Sequence, residues 1–343
     1  MEIGILGLPQ SGKSTLFKIM TGIHSRDADE YLCVRGLSNV PDSRFDDLVD
    51  VFDPDRKSPA KVPFIDINSR SEHTWESVRQ TLNGADCFIH VVDAFSSQSA
   101  HDMINRYRKI EDEIILADLQ VVENRIERMR KVPAKALKTS DISQREIFPA
   151  LRRHLEEGNP LRTMGLSPYT LFSLKSYSFW TLRPELVVIN LGEESPSVMD
   201  MFLKETDYLV PAVEIHCQLE AELIMLAQNE QKEFLDALGL DEPAFVRIIK
   251  KAFSMLDRIC YFTVGDDEVK AWVVPAGAKA PKAAAAIHKD FERGFIRAEV
   301  VSYDDFVIHG KKMANVKAAG KLRLEGKDYE VQDGDIISFR FNV

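Results

Sequence analysis

The chain contains no apolar run approaching the length of a membrane-spanning helix, about 20 residues, so no segment is expected to cross a bilayer. Positive charge is not in excess. Across 343 residues the formal net charge is −10, which argues against generic adhesion to nucleic acid or to an acidic membrane. Cysteine is scarce: Cys33, Cys87, Cys217 and Cys260 lie far apart with no metal-ligand spacing and no disulfide framework. They read as reduced thiols of a cytoplasmic protein. Low-complexity stretches and internal repeats are absent, and no basic region or cleavage signal precedes the first apolar run, so nothing marks export. What remains is an ordinary globular composition, 45% hydrophobic and 29% charged, in a chain long enough for two or three domains.

The most informative segment is Gly7-Leu8-Pro9-Gln10-Ser11-Gly12-Lys13-Ser14-Thr15. It follows the apolar run Ile3–Leu6 and precedes Leu16–Met20, which has helical spacing. Strand, glycine loop and helix carry the pattern G-x-x-x-x-G-K-[ST], whose backbone N–H groups converge on a phosphate chain at a helix N-terminus. In this pattern Lys13 reaches the β- and γ-phosphates and the Ser14 hydroxyl ligates Mg²⁺.

Short continuous apolar runs recur at Ile3–Leu6, Val62–Ile67, Cys87–Val92 and Leu186–Ile189, with Tyr208–Ile215 as a weaker fifth. Such runs suit strands buried on both faces of a parallel sheet. Helical patterns at Ser14–Met20, Trp75–Leu82 and Glu220–Leu238 alternate with them, giving a doubly wound α/β fold. Between Phe95 and Leu186 the rhythm breaks. Ile110, Ile114, Leu116, Leu119, Val122, Ile126 and Met129 form a stripe at helical spacing that Pro133 closes, and a second helix runs through Ile142, Ile147, Leu151 and Leu155 to Gly158. This predicts an inserted antiparallel helical hairpin whose stripe is its own seam. From Tyr261 onward, short β-rich runs around a helix at Ala280–Asp290 predict a small β-grasp-like or barrel-like module. There basic and acidic residues balance at 13 each over 261–343, so the acidic excess lies upstream. Lys279, Lys282, Lys289, Arg293 and Arg297 are candidates for a basic face on that module.

Two later strand ends supply the rest of a nucleotide site. Val62-Pro63-Phe64-Ile65-Asp66 ends on an acid suited to the Mg²⁺ shell opposite Ser14, with Asp93 as a second candidate. Asn190-Leu191-Gly192-Glu193 then offers Asn190 and Glu193 for base recognition. GTPases usually carry N-K-x-D here. With Glu193 in place of that Asp and Leu191 in place of the Lys that packs over the base, the guanine clamp is missing and adenine becomes the better fit. The alternative is that Asn190 caps a helix and Glu193 lies on the surface.

These motifs resemble the YchF or Obg-like ATPase family of translation-factor-class P-loop proteins over essentially the whole chain. Gly7–Thr15 is similar to the family's G-L-P-N-V-G-K-S-T, and Asn190–Glu193 to its N-x-x-E. Ile115–Leu119 and Ser173–Leu182 resemble its helical insertion and the return to the sheet. Lys279–Ala284, Asp290–Val300 and Leu324–Tyr329 resemble its TGS module. The resemblance implies binding and slow hydrolysis of ATP over GTP, association with ribosomes, contact with RNA or ribosomal protein through the TGS module, and a base-lining role for Phe95. The expected nucleotide contacts are thus Gly7, Pro9, Gln10, Ser11, Gly12, Lys13, Ser14, Thr15, Phe95, Asn190, Leu191 and Glu193, with Ser14 and Asp66 on Mg²⁺ and Lys13 as the residue acting on the transferred phosphate. The expected domains are 1–105 with 186–258 for nucleotide, 106–185 for the insertion and 259–343 for the TGS-like module, in a protein favoured as a monomer.

The departures from the family fall on the γ-phosphate side. Ser69 stands where the family has a glycine, and its Cβ restricts the backbone swing toward the phosphate. Arg70 replaces a leucine, Gln10 the loop asparagine, and Glu30 the threonine expected on Mg²⁺. Three readings follow: an ATPase switch, a nucleotide-sensing module that binds ATP, ADP or GTP without turnover, and a P-loop small-molecule kinase. The base motif and the C-terminal module speak against the third.

Overall fold

The structure, a computed structural model, describes residues 1–23, 33–67, 75–96, 99–131, 139–237 and 239–342. In chain order the elements begin β1 (Ile3–Gly7), α1 (Lys13–Thr21), β2 (Cys33–Asn39), α2 (Ser43–Phe52), β3 (Arg56–Ser58), β4 (Lys61–Ile67), α3 (Trp75–Leu82) and β5 (Cys87–Asp93). They continue α4 (Ala100–Lys131), α5 (Thr139–Glu156), α6 (Pro168–Leu174), β6 (Glu185–Asn190), α7 (Met199–Glu205), β7 (Ala212–Ile215), α8 (Cys217–Leu223), α9 (Gln228–Ala237) and α10 (Ala244–Ser254). The last part holds β8 (Arg258–Thr263), β9 (Glu268–Pro275), α11 (Ala280–Ile287), α12 (Lys289–Arg293), β10 (Phe295–Ser302), α13 (Tyr303–Ile308), α14 (Met313–Ala318), β11 (Arg323–Glu325) and β12 (Asp335–Phe341). Two units emerge, residues 1–36 with 63–248 and residues 37–62 with 249–343.

In the first unit the sheet runs β2-β4-β1-β5-β6-β7, and β4, β1, β5, β6 and β7 pair in parallel. Residues of β5 and β6 are buried throughout, which is why their sequences are apolar without alternation. The order reverses beside β1, so the loop leaving β1 opens at a topological switch point, the place where such sheets bind ligands.

Along α4, Ile110 and Ile114 pack with Leu6, Ile65, Phe88 and Trp180 against the sheet. Farther along, Val122 and Met129 meet Phe148, Leu151 and Leu155 of α5. The stripe is therefore divided between sheet and hairpin partner. Leu116 leaves it, being 60% exposed, and Ile115 takes its place in the seam. The predicted return to the sheet is closed by Asp118, whose Oδ2 accepts from the Thr181 N–H and hydroxyl, both at 2.8 Å.

Three sequence expectations change in detail. The run Glu220–Leu238 is two helices, α8 and α9, because the chain turns at 224–227. The fifth strand is confined to Ala212–Ile215, since Asp207 and Tyr208 adopt left-handed backbone and break the extended run. Strand β2, with its alternating burial, and helix α2 carry signals that the apolar-run pattern passed over.

The second unit is a mixed sheet, β11-β10-β12-β8-β9-β3, crossed by α11, and so is β-grasp-like. The small residues Ala280, Ala283 and Ala284 let α11 sit close to Tyr261, Phe295, Ala298 and Ile337. The Tyr261 hydroxyl donates to the Ala283 carbonyl at 2.9 Å. Residues 37–62 belong to this unit: β3 pairs with β9, and Arg44 joins Asp42 to Asp333. Among the described residues no helix is long and apolar enough to cross a membrane.

Candidate functional site

The loop between β1 and α1 is built on backbone that side chains resist. Gly12 has φ +102° and Gln10 has φ +65°. A Cβ on Gly7 would stand 2.6 Å from the Val91 carbonyl oxygen, and one on Gly12 would stand 2.4 Å from Asn190 Nδ2. Left-handed backbone before a helix is the conformation by which glycine-rich loops form concave anion sites. Within the loop the Ser11 N–H donates to Leu8 O at 3.2 Å, and the Leu16 N–H to Gly12 O at 2.9 Å. Pro9, Gln10 and Thr15 are exposed, Gly12, Lys13 and Ser14 half-buried, and Ser11 buried. Ser11 Oγ has no hydrogen-bond partner among the described residues.

Lys13 folds back over its own loop, its Nζ donating to Gly7 O at 3.0 Å and Leu8 O at 2.7 Å. Burial lowers the pKa of this ammonium, and the Asp66 carboxylate nearby opposes that shift. Asp66 itself is fully buried near the end of β4, beside β1 in the sheet. A hydroxyl at the helix start and a buried carboxylate are hard oxygen donors, so Ser14 and Asp66 fit Mg²⁺. The other acid, Asp93, is committed to its own turn. Its carboxylate accepts from the Ser96 N–H at 3.0 Å and from the Ser96 hydroxyl at 2.5 Å, and pairs with Arg106.

On the base side, Asn190 is 5% exposed and reaches two elements at once. Its Nδ2 donates to Ser11 O at 3.1 Å, and its Oδ1 accepts from the Cys217 N–H at 3.2 Å. It thus ties β6 to the phosphate loop while satisfying one of the free N–H groups that open α8. Phe95, 47% exposed, borders Gly192, where an added Cβ would lie 3.5 Å from the Phe95 Cβ. Glu193 is exposed. Leu191 is 5% exposed and packs with Val187, Ile189 and Phe202. It lines a cavity of about 160 Å³ with Ala94, Met103, Ser195 and Pro196.

His216, which the motif reading passed over, joins the two base-side loops: its Nδ1 lies 2.8 Å from Gly192 O. The weak fifth apolar run ends one residue before it, which is the signal that would have marked it. Glu30, Ser69 and Arg70 lie outside the described residues. Burial pushes the thiols of Cys87, Cys217 and Cys260 up to about 12, which disfavours a thiolate nucleophile at those positions.

Known proteins match the chain both in its C-terminal part and over its full length. Residues 258–342 match a family model for the C-terminal part of YchF-type GTPases, described as a protein of unknown function (DUF933). The chain is 37% identical over 365 residues to the ribosome-binding ATPase YchF of Pasteurella multocida, covering all of this chain and 99% of that protein. It is 36% identical over 366 residues to the Bacillus subtilis protein of the same name, covering both in full. The structure of the Schizosaccharomyces pombe YchF GTPase superposes with a TM-score of 0.89 at 25% identity, covering 99% of this chain and 97% of that one.

Proposed function

The chain belongs to the YchF family, and from that premise we propose that it binds ATP with Mg²⁺ in preference to GTP, hydrolyses it slowly, and uses nucleotide state to set its affinity for the ribosome. The observation that carries this is the loop at the switch point of the sheet. It is closed to a Cβ at Gly7 and Gly12 and is tied by Asn190 to the base-side loop. The names of the relatives support the nucleotide and the ribosome.

Phosphoryl transfer at such a site is positioning plus electrostatics. The loop N–H groups hold the phosphate chain, and Lys13 exchanges Gly7 O and Leu8 O for phosphate oxygens. Ser14 and Asp66 would hold Mg²⁺, which would supply charge neutralisation at the phosphates. Phe95, Asn190 and Glu193 form the base side, with the buried Leu191 supporting it from below. The division of labour we propose is nucleotide chemistry in 1–105 and 186–258, a helical insertion in 106–185, and ribosome or RNA contact through 259–343, in a cytoplasmic monomer.

The test is phosphate release from ATP and GTP side by side, with and without ribosomes. ATP turnover above a Lys13→Ala control, stimulated by ribosomes, supports the reading; release from Lys13→Ala as fast as from wild type overturns the site. A second reading, tight binding without turnover, rests on Glu30, Ser69 and Arg70. Ribosome-stimulated hydrolysis eliminates it.

A further inference from the structure

At the start of β6, a buried polar cluster joins four elements. Glu111 of α4, His90 of β5 and Glu185 of β6 bring ligand atoms within 4.8 Å of one another. Such a donor set would suit a metal ion, but a guanidinium already lies between the carboxylates. One nitrogen of Arg162, in the turn at Leu161–Thr163, donates to Glu111 Oε2 at 2.5 Å and also to Glu185 Oε2. The other Glu185 oxygen lies 2.8 Å from His90 Nδ1. Tyr107, 6% exposed, completes the wall from α4, with its ring 5.2 Å from that of His90, and Cys87 faces the cluster from β5.

With the His90 imidazole neutral, the charges of the cluster do not balance. Two carboxylates face one guanidinium in a site where every group but Arg162 is almost wholly buried. Uncompensated buried charge is costly, and such groups take up a proton instead. Glu111 Oε2 and Glu185 Oε2 meet on the same Arg162 nitrogen, so the two carboxylates lie side by side. Two ionised carboxylates so placed repel each other, and a proton on one of them removes that repulsion. Glu111 Oε1 has no hydrogen-bond partner among the described residues, a state that suits a neutral carboxyl better than an anion.

The positions give the cluster its meaning. Glu111 lies on the helix by which the chain leaves the sheet, and Arg162 lies on the segment by which it returns. We propose that both roots of the helical insertion are latched to the nucleotide-binding sheet through a proton held on Glu111, so that the insertion's attachment is set by pH. At neutral pH the latch is a neutral carboxyl, a carboxylate and a guanidinium. Loss of the proton leaves two carboxylates repelling each other beside one cation, and the roots loosen.

Burial first, and then the Glu185 carboxylate, raise the Glu111 carboxyl to about 8, while Arg162 and His90 hold Glu185 low against its own burial. Because the folded state holds the Glu111 proton more tightly than the unfolded chain, this group's contribution to stability falls as pH rises from its ordinary value of 4.5 toward about 8 and is flat beyond.

The test uses the full chain labelled with carboxyl-¹³C glutamate. One resonance, absent from Glu111→Gln, is expected to titrate near pH 8. In Glu111→Gln, which keeps a neutral donor, thermal stability relative to wild type should improve from pH 5 to pH 8 and then level off. Amide exchange of residues 159–163 should be faster in wild type than in Glu111→Gln at pH 9 and equal at pH 6. The proposal is overturned by the lack of any glutamate resonance titrating near 8, a readout that needs only wild-type protein. It is equally overturned if the variant shows the wild-type pH dependence.

Discussion

Asn190 Nδ2 donates to the Ser11 carbonyl at 3.1 Å, so the residue expected to face a base also fastens the phosphate loop. Its other amide atom accepts from the Cys217 N–H that opens α8. One side chain therefore sets the distance between the phosphate and base halves of the site. Asn190→Ala should cost about 1–3 kcal/mol for each buried group it leaves unpaired, and nucleotide affinity should fall with it. Thermal unfolding and ATP titration check both. Asn190→Asp keeps the acceptor for Cys217 but loses the donor to Ser11, so it should recover stability in part and binding little.

Gly12→Ala tests the loop from the other side. The new Cβ would meet Asn190 Nδ2 at 2.4 Å on backbone with φ +102°. Left-handed strain alone costs about 1–2 kcal/mol, and relief requires moving Asn190 or the loop. Calorimetric titration with ATP should show affinity reduced by about tenfold or more, since 1.4 kcal/mol is tenfold. Circular dichroism should show the fold retained.

Lys13 is held in the site at a cost. Its folded-state pKa lies below the ordinary lysine value of 10.5 because burial penalises the ammonium. The buried ammonium therefore costs stability at neutral pH relative to a lysine in water, and that cost is relieved only as pH climbs toward 10.5. Lys13→Met should be at least as stable as wild type at pH 7, with the difference narrowing as pH rises. Phosphate release should drop by on the order of 10²-fold or more. Unfolding curves across pH, paired with turnover at pH 7, separate the two effects.

A guanine-type clamp cannot be installed by motif alone. Leu191 is 5% exposed among Val187, Ile189 and Phe202. Leu191→Lys would bury an ammonium there and should destabilise by on the order of 3 kcal/mol. The double variant Leu191→Lys with Glu193→Asp is expected to lose stability without gaining GTP. Competition between ATP and GTP, read beside a melting curve, decides this.

The basic face of the C-terminal module narrows to four residues. Lys279 is paired with Asp328 at 2.7 Å. Lys282, Lys289, Arg293 and Arg297 are exposed and have no carboxylate partner among the described residues. Neutralising all four should weaken ribosome or RNA binding and flatten its salt dependence by about 0.7–0.9 in log–log slope per lost contact. Binding in pelleting assays at several salt concentrations, unchanged in slope, would remove the electrostatic account of that face.

Much of this protein is determined by sequence alone. A buried parallel strand must be apolar on both faces, so the runs at Ile3, Val62, Cys87 and Leu186 name themselves. A glycine loop before a helix names its ligand, because few other backbones can surround a phosphate. The helical hairpin is legible for the same reason, its stripe being dictated by burial at helical period. Tertiary structure decided everything that depends on distant residues meeting. Leu116 turned outward, because α4 changes partner from sheet to α5 along its length. Residues 37–62 joined the C-terminal sheet through Arg44 and β3, contacts between segments distant in the chain that no local pattern records. Asp93 was drawn to Ser96 and Arg106, while Asp66 was buried close enough to Lys13 for its charge to act on that ammonium. Asn190 acquired its double attachment only when β6, α8 and the loop closed together. A period or a motif acts over one or two turns of chain, whereas a charge, a cavity or a hydrogen-bond partner is defined by the fold around it.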